Sequence, residues 1–561
     1  MTLDWVLKVL KAKGLDQTVI NRLYRLYANN LTVVVVNDIP GKCFKNNYMS
    51  IRQGDRPSST LFCFGIDPHI AWLERRLKGI LIYKQSAEGP TLPGTIFRPQ
   101  VETRYKIIGY IDDIKPAVTS MNEFQIIDRG AALFEGASGC ALHRDSLSGK
   151  VKLLPLGRWK GSLQQEDLPV NYIALSDHLD MVGVQLMSTT TKTRKINGDS
   201  LTEKVKKIIG SWKGGKFMDL TLRSHSVNTY CLSKVWFKCR STSLRVGDID
   251  NMNSNIKSWL FSDQLEQPGE IALYRSRGQG GLGLYNIKYK AMAELIRAYL
   301  ETAVNTEFLT NQYHNALFNQ KIEEVRVLPA PPTNPFLPEE AFENIKVVKE
   351  EGRLNIFRLS SGDWYRVLLE NNITMTVDES GRRILKPCKV EMKNPDVNWE
   401  ITWRRASLPG LSSADHSFLW KMLHNVLPTH ERLHRLGMNN IISPLCSQCD
   451  QAVNDDLPHA LVTCPQNKEV IDWLLNQLVH VSPNICPHQL VLLSLADLQE
   501  EHELPVTWLI SQTLSYIWTQ RIIQKKPTLF QTRALLEAGV SIMRKSRFYE
   551  CSNAIKAIIE R

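Results

Sequence analysis

Four potential metal ligands near the C-terminal end constrain this chain more than any other feature. The stretch CSQCDQAVNDDLPHALVTC spaces them as Cys446-x2-Cys449-x9-His459-x4-Cys464. A CxxC knuckle can hold one metal ion with two thiolates, and His459 and Cys464 lie about one helical turn apart, where they can complete a tetrahedron. Four nitrogen and sulfur ligands with no open coordination position suit structural Zn²⁺. The alternative is a buried pair of free cysteines.

Length and composition indicate a globular protein with several domains. The 561 residues are enough for about three or four domains of roughly 150 residues each. Eleven cysteines are too few for a disulfide scaffold. The opening stretch MTLDWVLKVLKAKGL does not look like a signal peptide, and no apolar run reaches the roughly 18 residues of a membrane span. We therefore expect a soluble intracellular protein of the nucleus or cytoplasm, not secreted and not membrane-bound.

A net charge of +12 favours a polyanionic partner, either nucleic acid or an anionic membrane face. Residues 201–240 are predicted to be helical and basic, with aromatic side chains among Lys and Arg. Such residues can contact phosphates and stack on bases. The segment TWRRASLPG could bind nucleic acid in the same way, although Trp403 and Trp420 are predicted to be core residues.

The N-terminal part of the sequence alternates helices with short hairpins. Residues 4–28 are predicted to form one helix or two, broken near Gly14, followed by a hairpin of LTVVVVND and KCFKNNYMS with its turn at Pro40-Gly41. A helix from about Ile66 to Arg76 comes next. A second hairpin, of RYKIIGY and IKPAVT, has Asp112 and Asp113 at its tip and precedes a helix that ends at Gly136. From Ser407 onwards, outside the cysteine cluster, the pattern predicts helices.

The adjacent carboxylates of Asp112 and Asp113 repel each other unless a cation lies between them. A divalent metal ion is the usual reason for such a pair. The alternative is a solvated turn, because Asp is favoured in turns.

The order of these elements resembles the palm of a reverse transcriptase of the non-LTR, LINE-type retrotransposon kind. In that family a Tyr-x-Asp-Asp hairpin carries catalytic carboxylates, and Tyr110-Ile111-Asp112-Asp113 matches it. The segment RQGDRPSSTLF also matches, which implies that Arg52, Gln53 and Gly54, together with Tyr110 of the hairpin, contact the template or the incoming nucleotide.

The resemblance further implies nucleotidyl transfer with two Mg²⁺ ions about 3.5–4 Å apart, held by Asp112 and Asp113 through their oxygen ligands. An SG…K segment implies that Lys150 or Lys152 protonates the leaving pyrophosphate. The family's first catalytic strand ends in a Phe-Asp pair, which would fall a residue or two before Met1. The nearby Asp4 is not expected to replace that aspartate, because it is predicted to lie at a helix start and to complement the helix dipole. Since the set of metal-binding carboxylates then lacks one member, we expect this chain alone to be a poor polymerase or none.

The flanks of the cysteine cluster carry a second resemblance. The segment HSFLWKMLHNVLPTHERLHRLG precedes the cluster and is similar to the zinc-binding domain that follows the polymerase in LINE-type elements. In that domain a helix ending in Leu-Pro-Thr leads into a Cys-Cys-His-Cys site. The similarity spans about Thr402 to Leu475. His424, His430 and His434 are predicted to be surface positions, because the four-ligand set is already complete.

The stretch GQGGLG, residues 278–283, fits the dinucleotide-binding pattern G-x-G-x-x-G. A strand-like IALYR precedes it, and Glu301 lies about 20 residues further on. A dinucleotide-binding unit would place that acid on a second strand, whereas Glu301 falls inside a continuing helix. We therefore predict a glycine-rich turn.

The predicted architecture is α+β, a partial right-hand polymerase followed by a mainly helical zinc-binding domain. The predicted domains are a palm without fingers or first catalytic strand (1–195), a helical thumb and connection (196–327), a Pro-rich linker with a small mixed segment (328–400), and the zinc-binding domain (401–561). The implied partners are an RNA template, a DNA primer and a second chain that supplies an endonuclease. A non-enzymatic RNA- or DNA-binding remnant is the alternative function.

Overall fold

The chain divides into two compact units, which we call unit 1 (residues 1–197 and 298–339) and unit 2 (residues 198–297 and 340–561). The computed structural model describes residues 1–28, 31–33, 35–36, 39–42, 44–45, 56–83, 103–110, 113–140, 150–212, 218–261, 268–304, 340, 358–438, 441–495, 498–545 and 548–560. Within these residues helices dominate and strands are short. The predicted Pro-rich linker, up to residue 339, lies outside them.

Unit 1 combines helices with hairpins. Its elements are α1 (Leu3–Ala12), α2 (Gln17–Tyr27), β1 (Leu31–Thr32), β2 (Val35–Val36), β3 (Ile39–Pro40), β4 (Phe44–Lys45), α3 (Ser58–Glu74), β5 (Ile80–Tyr83), β6 (Thr103–Tyr105), β7 (Ile107–Tyr110), β8 (Asp113–Pro116), α4 (Asn122–Ser138), β9 (Val151–Leu153), β10 (Ile173–Leu175), β11 (His178–Met181) and β12 (Val184–Met187). In the described ranges every strand has one partner strand. The palm fold therefore stays a prediction.

The N-terminal segment forms two helices, as one of the two predictions had it. The Thr2 side chain caps α1 and the Asp16 side chain caps α2. Between them Gly14 adopts a φ of +85°, which the absence of a Cβ allows. Asp4 lies in the first turn of α1, where a negative charge complements the helix dipole.

Three predicted boundaries in unit 1 are wrong. The pairing of β1 with β4 confirms the first predicted hairpin, but Val36 of β2 pairs with Ile39 of β3, so the turn lies before Pro40 and not at Pro40-Gly41. Helix α3 begins at Ser58 and not near Ile66, with Pro57 at its N-cap position. The helix continues through Pro68. Helix α4 continues past Gly136 to Ser138 and ends where Gly139 adopts the left-handed conformation.

Unit 2 is mainly helical. Its elements are α6 (Leu220–Ser226), α7 (Ser233–Cys239), α8 (Val246–Phe261), α9 (Glu270–Tyr274), α11 (Ser361–Leu369), β13 (Met375–Val377), β14 (Arg383–Leu385), α12 (Lys389–Lys393), α13 (Trp399–Ala406), α14 (Ser413–Leu423), α15 (His430–Arg435), α16 (Lys468–Leu478), α17 (Pro487–Leu492), α18 (Glu500–Ile522), α19 (Leu529–Arg544) and α20 (Tyr549–Ile559), with wide π turns at Val227–Leu232, Glu370–Thr374 and His459–Thr463. Two boundaries between the units fall inside helices. One lies between residues 197 and 198 in α5 (Thr190–Ser211), and the other between residues 297 and 298 in α10 (Ile287–Val304).

Helix α18 lies inside the core of unit 2. Four consecutive residues, Val506, Thr507, Trp508 and Leu509, are all buried, so neighbouring elements cover this helix on every side. The polar Ser511 is satisfied because its hydroxyl donates to Asp415 Oδ1 at 2.8 Å. The predicted helical character of the C-terminal region is confirmed in the described ranges.

The glycine-rich turn at residues 278–283 is a packing element of unit 2. The preceding IALYR is helical (α9) and not a strand, which corrects the sequence prediction. A Cβ on Gly281 would lie 1.9 Å from the carbonyl oxygen of Arg275, and one on Gly280 would lie 2.5 Å from the ring of Trp403. These glycines therefore allow close packing between backbone and side chains.

Two tryptophans and one histidine cover this turn. Trp403 and Trp420 are buried, which confirms them as core residues. The Trp420 Nε1 donates to Gly280 O at 3.0 Å, and His424 Nε2 bonds the same oxygen at 2.6 Å. The surface position predicted for His424 is wrong, because its ring stacks on Trp403 with centroids 4.9 Å apart. His434 is exposed, as predicted.

Candidate metal centre

The structure brings the four predicted zinc ligands together in unit 2. One ligand atom from each of Cys446, Cys449, His459 and Cys464 lies within 4.8 Å of all the others. Cys449 Sγ and His459 Nε2 are 3.4 Å apart. Zn–S bonds of about 2.3 Å and Zn–N bonds of about 2.0–2.1 Å give a tetrahedron with edges of roughly 3.5–3.8 Å. The four side chains therefore fit one structural zinc ion.

The knuckle that carries Cys446 and Cys449 is held by backbone hydrogen bonds. Leu445 and Asn454 form an isolated antiparallel bridge, and Cys446 N donates to Val453 O at 2.9 Å. The amide of Gln448 donates to Cys446 Sγ at 3.4 Å. These hydrogen bonds position the Cys446 thiol within the knuckle.

A wide helical turn presents His459 and Cys464 on the same side. Residues His459–Thr463 form a π turn, in which Cys464 N donates to His459 O at 3.0 Å. In an α-helix, positions five apart point in different directions, whereas the wider π turn, with its i→i+5 hydrogen bond, reduces the angle between them. The Asp456 carboxylate accepts from His459 N at 2.7 Å and caps the turn. The five-residue spacing of these two ligands is explained by this geometry.

A buried ion pair lies beside the cysteine cluster and contacts it. Arg521, in the last turn of α18, donates to Cys446 Sγ at 3.4 Å and pairs with Asp455. Asp455 is fully buried and also accepts from His430 N at 2.8 Å. Gln448 Nε2 donates to Arg521 O at 2.9 Å. These contacts fasten the cysteine knuckle to the core helix.

The environment makes the thiols of the cluster unequal. Burial opposes ionisation of Cys446, but hydrogen bonds from Arg521 and Gln448 outweigh it and lower the pKa of this thiol to about 6. Burial, together with the neighbouring cysteines, raises the pKa of Cys464 to about 11. Because zinc binds thiolates, the ion displaces the remaining protons as it binds.

The predicted polymerase residues are only partly described. Tyr110 of β7 pairs with Asp113 of β8, which confirms the predicted hairpin, and the Asp113 carboxylate forms an ion pair with Lys115. Asp112, Arg52, Gln53 and Gly54 lie outside the described residues. Lys152 lies in β9, 3.8 Å from Asp180, and Lys150 directly precedes that strand. The magnesium site therefore stays a prediction.

In the part of the chain that the structure describes, no other group of three or more His, Cys, Asp or Glu side chains is close enough to hold an ion. Sequence reasoning found all four ligands but missed Arg521 and Asp455. Arg521 is 75 residues from Cys446, so no local spacing could have indicated their contact. In the same ranges, no helix combines the length and the apolar character needed to cross a membrane.

Residues 388–470 match a family model described as zinc-binding in reverse transcriptase. The match includes all four ligands and begins before the predicted boundary at Thr402. The chain therefore carries a reverse-transcriptase-associated zinc domain with a cluster that fits Zn²⁺. No curated protein matches the chain.

Proposed function

We propose that this chain, which carries a reverse-transcriptase-associated zinc domain, is a protein related to LINE-type reverse transcriptases that binds RNA and DNA. The observation that supports this most strongly is the four-ligand cluster inside the matched segment 388–470. The net charge of +12 supports a phosphate-rich partner. We include an RNA template and a DNA primer in this proposal, and a separate chain as the source of any endonuclease.

The proposed polymerase site is the hairpin of β7 and β8. There Asp112 and Asp113 would hold Mg²⁺, which would polarise the triphosphate and activate the primer hydroxyl. Arg52, Gln53 and Gly54 would contact template or nucleotide, and Lys150 or Lys152 would protonate pyrophosphate. The ion pair of Asp113 with Lys115 opposes this use, because the ammonium group competes with a metal ion for the same carboxylate. We therefore propose that primer extension by this chain alone is weak or absent.

A primer-extension assay separates weak polymerase activity from nucleic-acid binding alone. The purified chain is incubated with an RNA template, a DNA primer, nucleotides and Mg²⁺ or Mn²⁺, and filter binding is measured in parallel. We expect retention of the nucleic acid with little or no extension. Templated extension that Asp113→Ala abolishes would establish the enzyme instead. Absence of both filter retention and primer extension would contradict the proposed function.

A further inference from the structure

Two aromatic side chains project into solvent from a helical segment of unit 2. Tyr230, in the π turn that precedes α7, is 64% exposed, and Phe237 in α7 is 55% exposed. Lys234 lies between them and is exposed as well. The spacings of four and three residues place all three side chains on one side of the helical segment.

Packing on the opposite side fixes this orientation. Cys231, Val235 and Cys239 alternate with the exposed residues and are 0–1% exposed. Because these three side chains lie in the core, the segment cannot turn Tyr230 or Phe237 inwards. Their exposure is therefore a fixed property of unit 2.

Helix α5 adds lysines beside this segment. Leu201, Val205 and Ile209 bury one side of the helix. Lys204 and Lys207 are exposed on another side, at a spacing of three residues.

A side-chain hydrogen bond shows that helices α5 and α7 are neighbours. Ser200 Oγ of α5 accepts from Lys238 Nζ of α7 at 3.5 Å. Ser200, Lys204 and Lys207 follow one another at spacings of four and three residues, so the exposed lysines lie on the side of α5 that contacts Lys238 of α7. The nearby carboxylate of Asp199 is neutralised by an ion pair with Arg245. We call the set Tyr230, Lys234, Phe237, Lys204 and Lys207 the aromatic–lysine face.

We infer that the aromatic–lysine face binds a single strand of RNA or DNA, with Tyr230 and Phe237 stacking on bases and the lysines contacting phosphates. This inference rests on the proposed function and specifies the form of its nucleic acid. An unpaired strand offers base faces to aromatic side chains, whereas a duplex keeps them stacked inside. The lysines match the charge of the strand, and each phosphate contact makes the affinity dependent on salt.

The test uses the full chain and fluorescence anisotropy with two probes, a labelled 20-nucleotide oligo(U) and a labelled 20-base-pair duplex. Stacking of one base on one aromatic side chain contributes enough that each of Tyr230→Ala and Phe237→Ala should weaken oligo(U) binding about fivefold or more. Duplex affinity should change less than twofold. Lys234→Gln should reduce the slope of log affinity against log salt by about 0.7 for the single strand.

Phe530→Ala is the matched control, because Phe530 is an exposed aromatic on α19 that lies outside this face. We expect it to leave both affinities unchanged, and circular dichroism should show that all variants remain folded. Unchanged oligo(U) binding by the Tyr230 and Phe237 variants would overturn this inference alone. Equal weakening on both probes would also overturn it, since the surface would then bind duplex. Failure of the unsubstituted chain to bind either probe would overturn the proposed function as well.

Discussion

Arg521 donates a hydrogen bond to Cys446 Sγ at 3.4 Å, and this contact joins the long core helix α18 to the zinc-binding knuckle. A site with three thiolates and one neutral imidazole carries a net charge of −1 once Zn²⁺ is bound. The guanidinium offsets that charge and also pairs with the buried Asp455. Charge balance and packing of unit 2 therefore depend on the same side chain.

Substitution of Arg521 by Met should weaken zinc binding. The change removes the donor to Cys446 and leaves Asp455 buried without its ion pair. Loss of such supporting contacts typically lowers metal affinity 10- to 100-fold. Competition with a chromogenic chelator measures the affinity directly. Lys525→Met, at an exposed position four residues further on, serves as the control, and equal affinities of the two variants would refute the assigned role of Arg521.

Substitution of Gly281 by Ala should destabilise unit 2, because the new Cβ would lie 1.9 Å from the backbone oxygen of Arg275. A backbone atom cannot move aside as a flexible side chain can, so we expect a loss of about 1–3 kcal/mol in the free energy of unfolding. Gly278→Ala is the matched control, since its nearest neighbour is Ser407 Oγ at 3.8 Å. Urea unfolding of both variants checks the difference. A Gly281→Ala chain as stable as the control would mean that the turn is not closely packed.

The stability of unit 2 should fall as the pH drops below about 6.5, owing to His424. Burial lowers the pKa of His424 to about 4, although its hydrogen bond to Gly280 O acts in the opposite direction. Between pH 4 and the usual histidine pKa of 6.5, the unfolded chain binds a proton at His424 that the folded chain excludes. The contribution of His424 to stability is therefore complete above pH 6.5 and is lost as the pH falls towards 4. A shift of this size corresponds to roughly 3 kcal/mol at most.

Thermal unfolding across pH 4–7 measures the contribution of His424. His424→Phe keeps an aromatic ring against Trp403 but removes the titrating group. Its stability should depend less on pH in this interval than that of the unsubstituted chain. Parallel pH profiles of the two proteins would show that His424 is not the source. The exposed His434, replaced by Phe, provides the control for an unrelated histidine.

The sequence alone was sufficient for features set by local spacing. The zinc ligands and the β7–β8 hairpin follow from short-range patterns, whereas the sequence left open whether residues 4–28 form one helix or two. Helix α9 was mistaken for a strand, because a short apolar run such as IALYR fits either element. The burial of His424 was missed because it depends on Gly280, which lies 144 residues earlier in the chain.

Zinc content tests the central claim most directly. The chain, purified without added metal chelator, is analysed for zinc by atomic absorption alongside Cys449→Ser and Cys486→Ser. We predict one zinc ion per chain, retained by Cys486→Ser, whose thiol is exposed and outside the cluster, and lost or strongly reduced in Cys449→Ser. A folded chain that contains no zinc, or one whose zinc content is the same in both variants, would contradict the account.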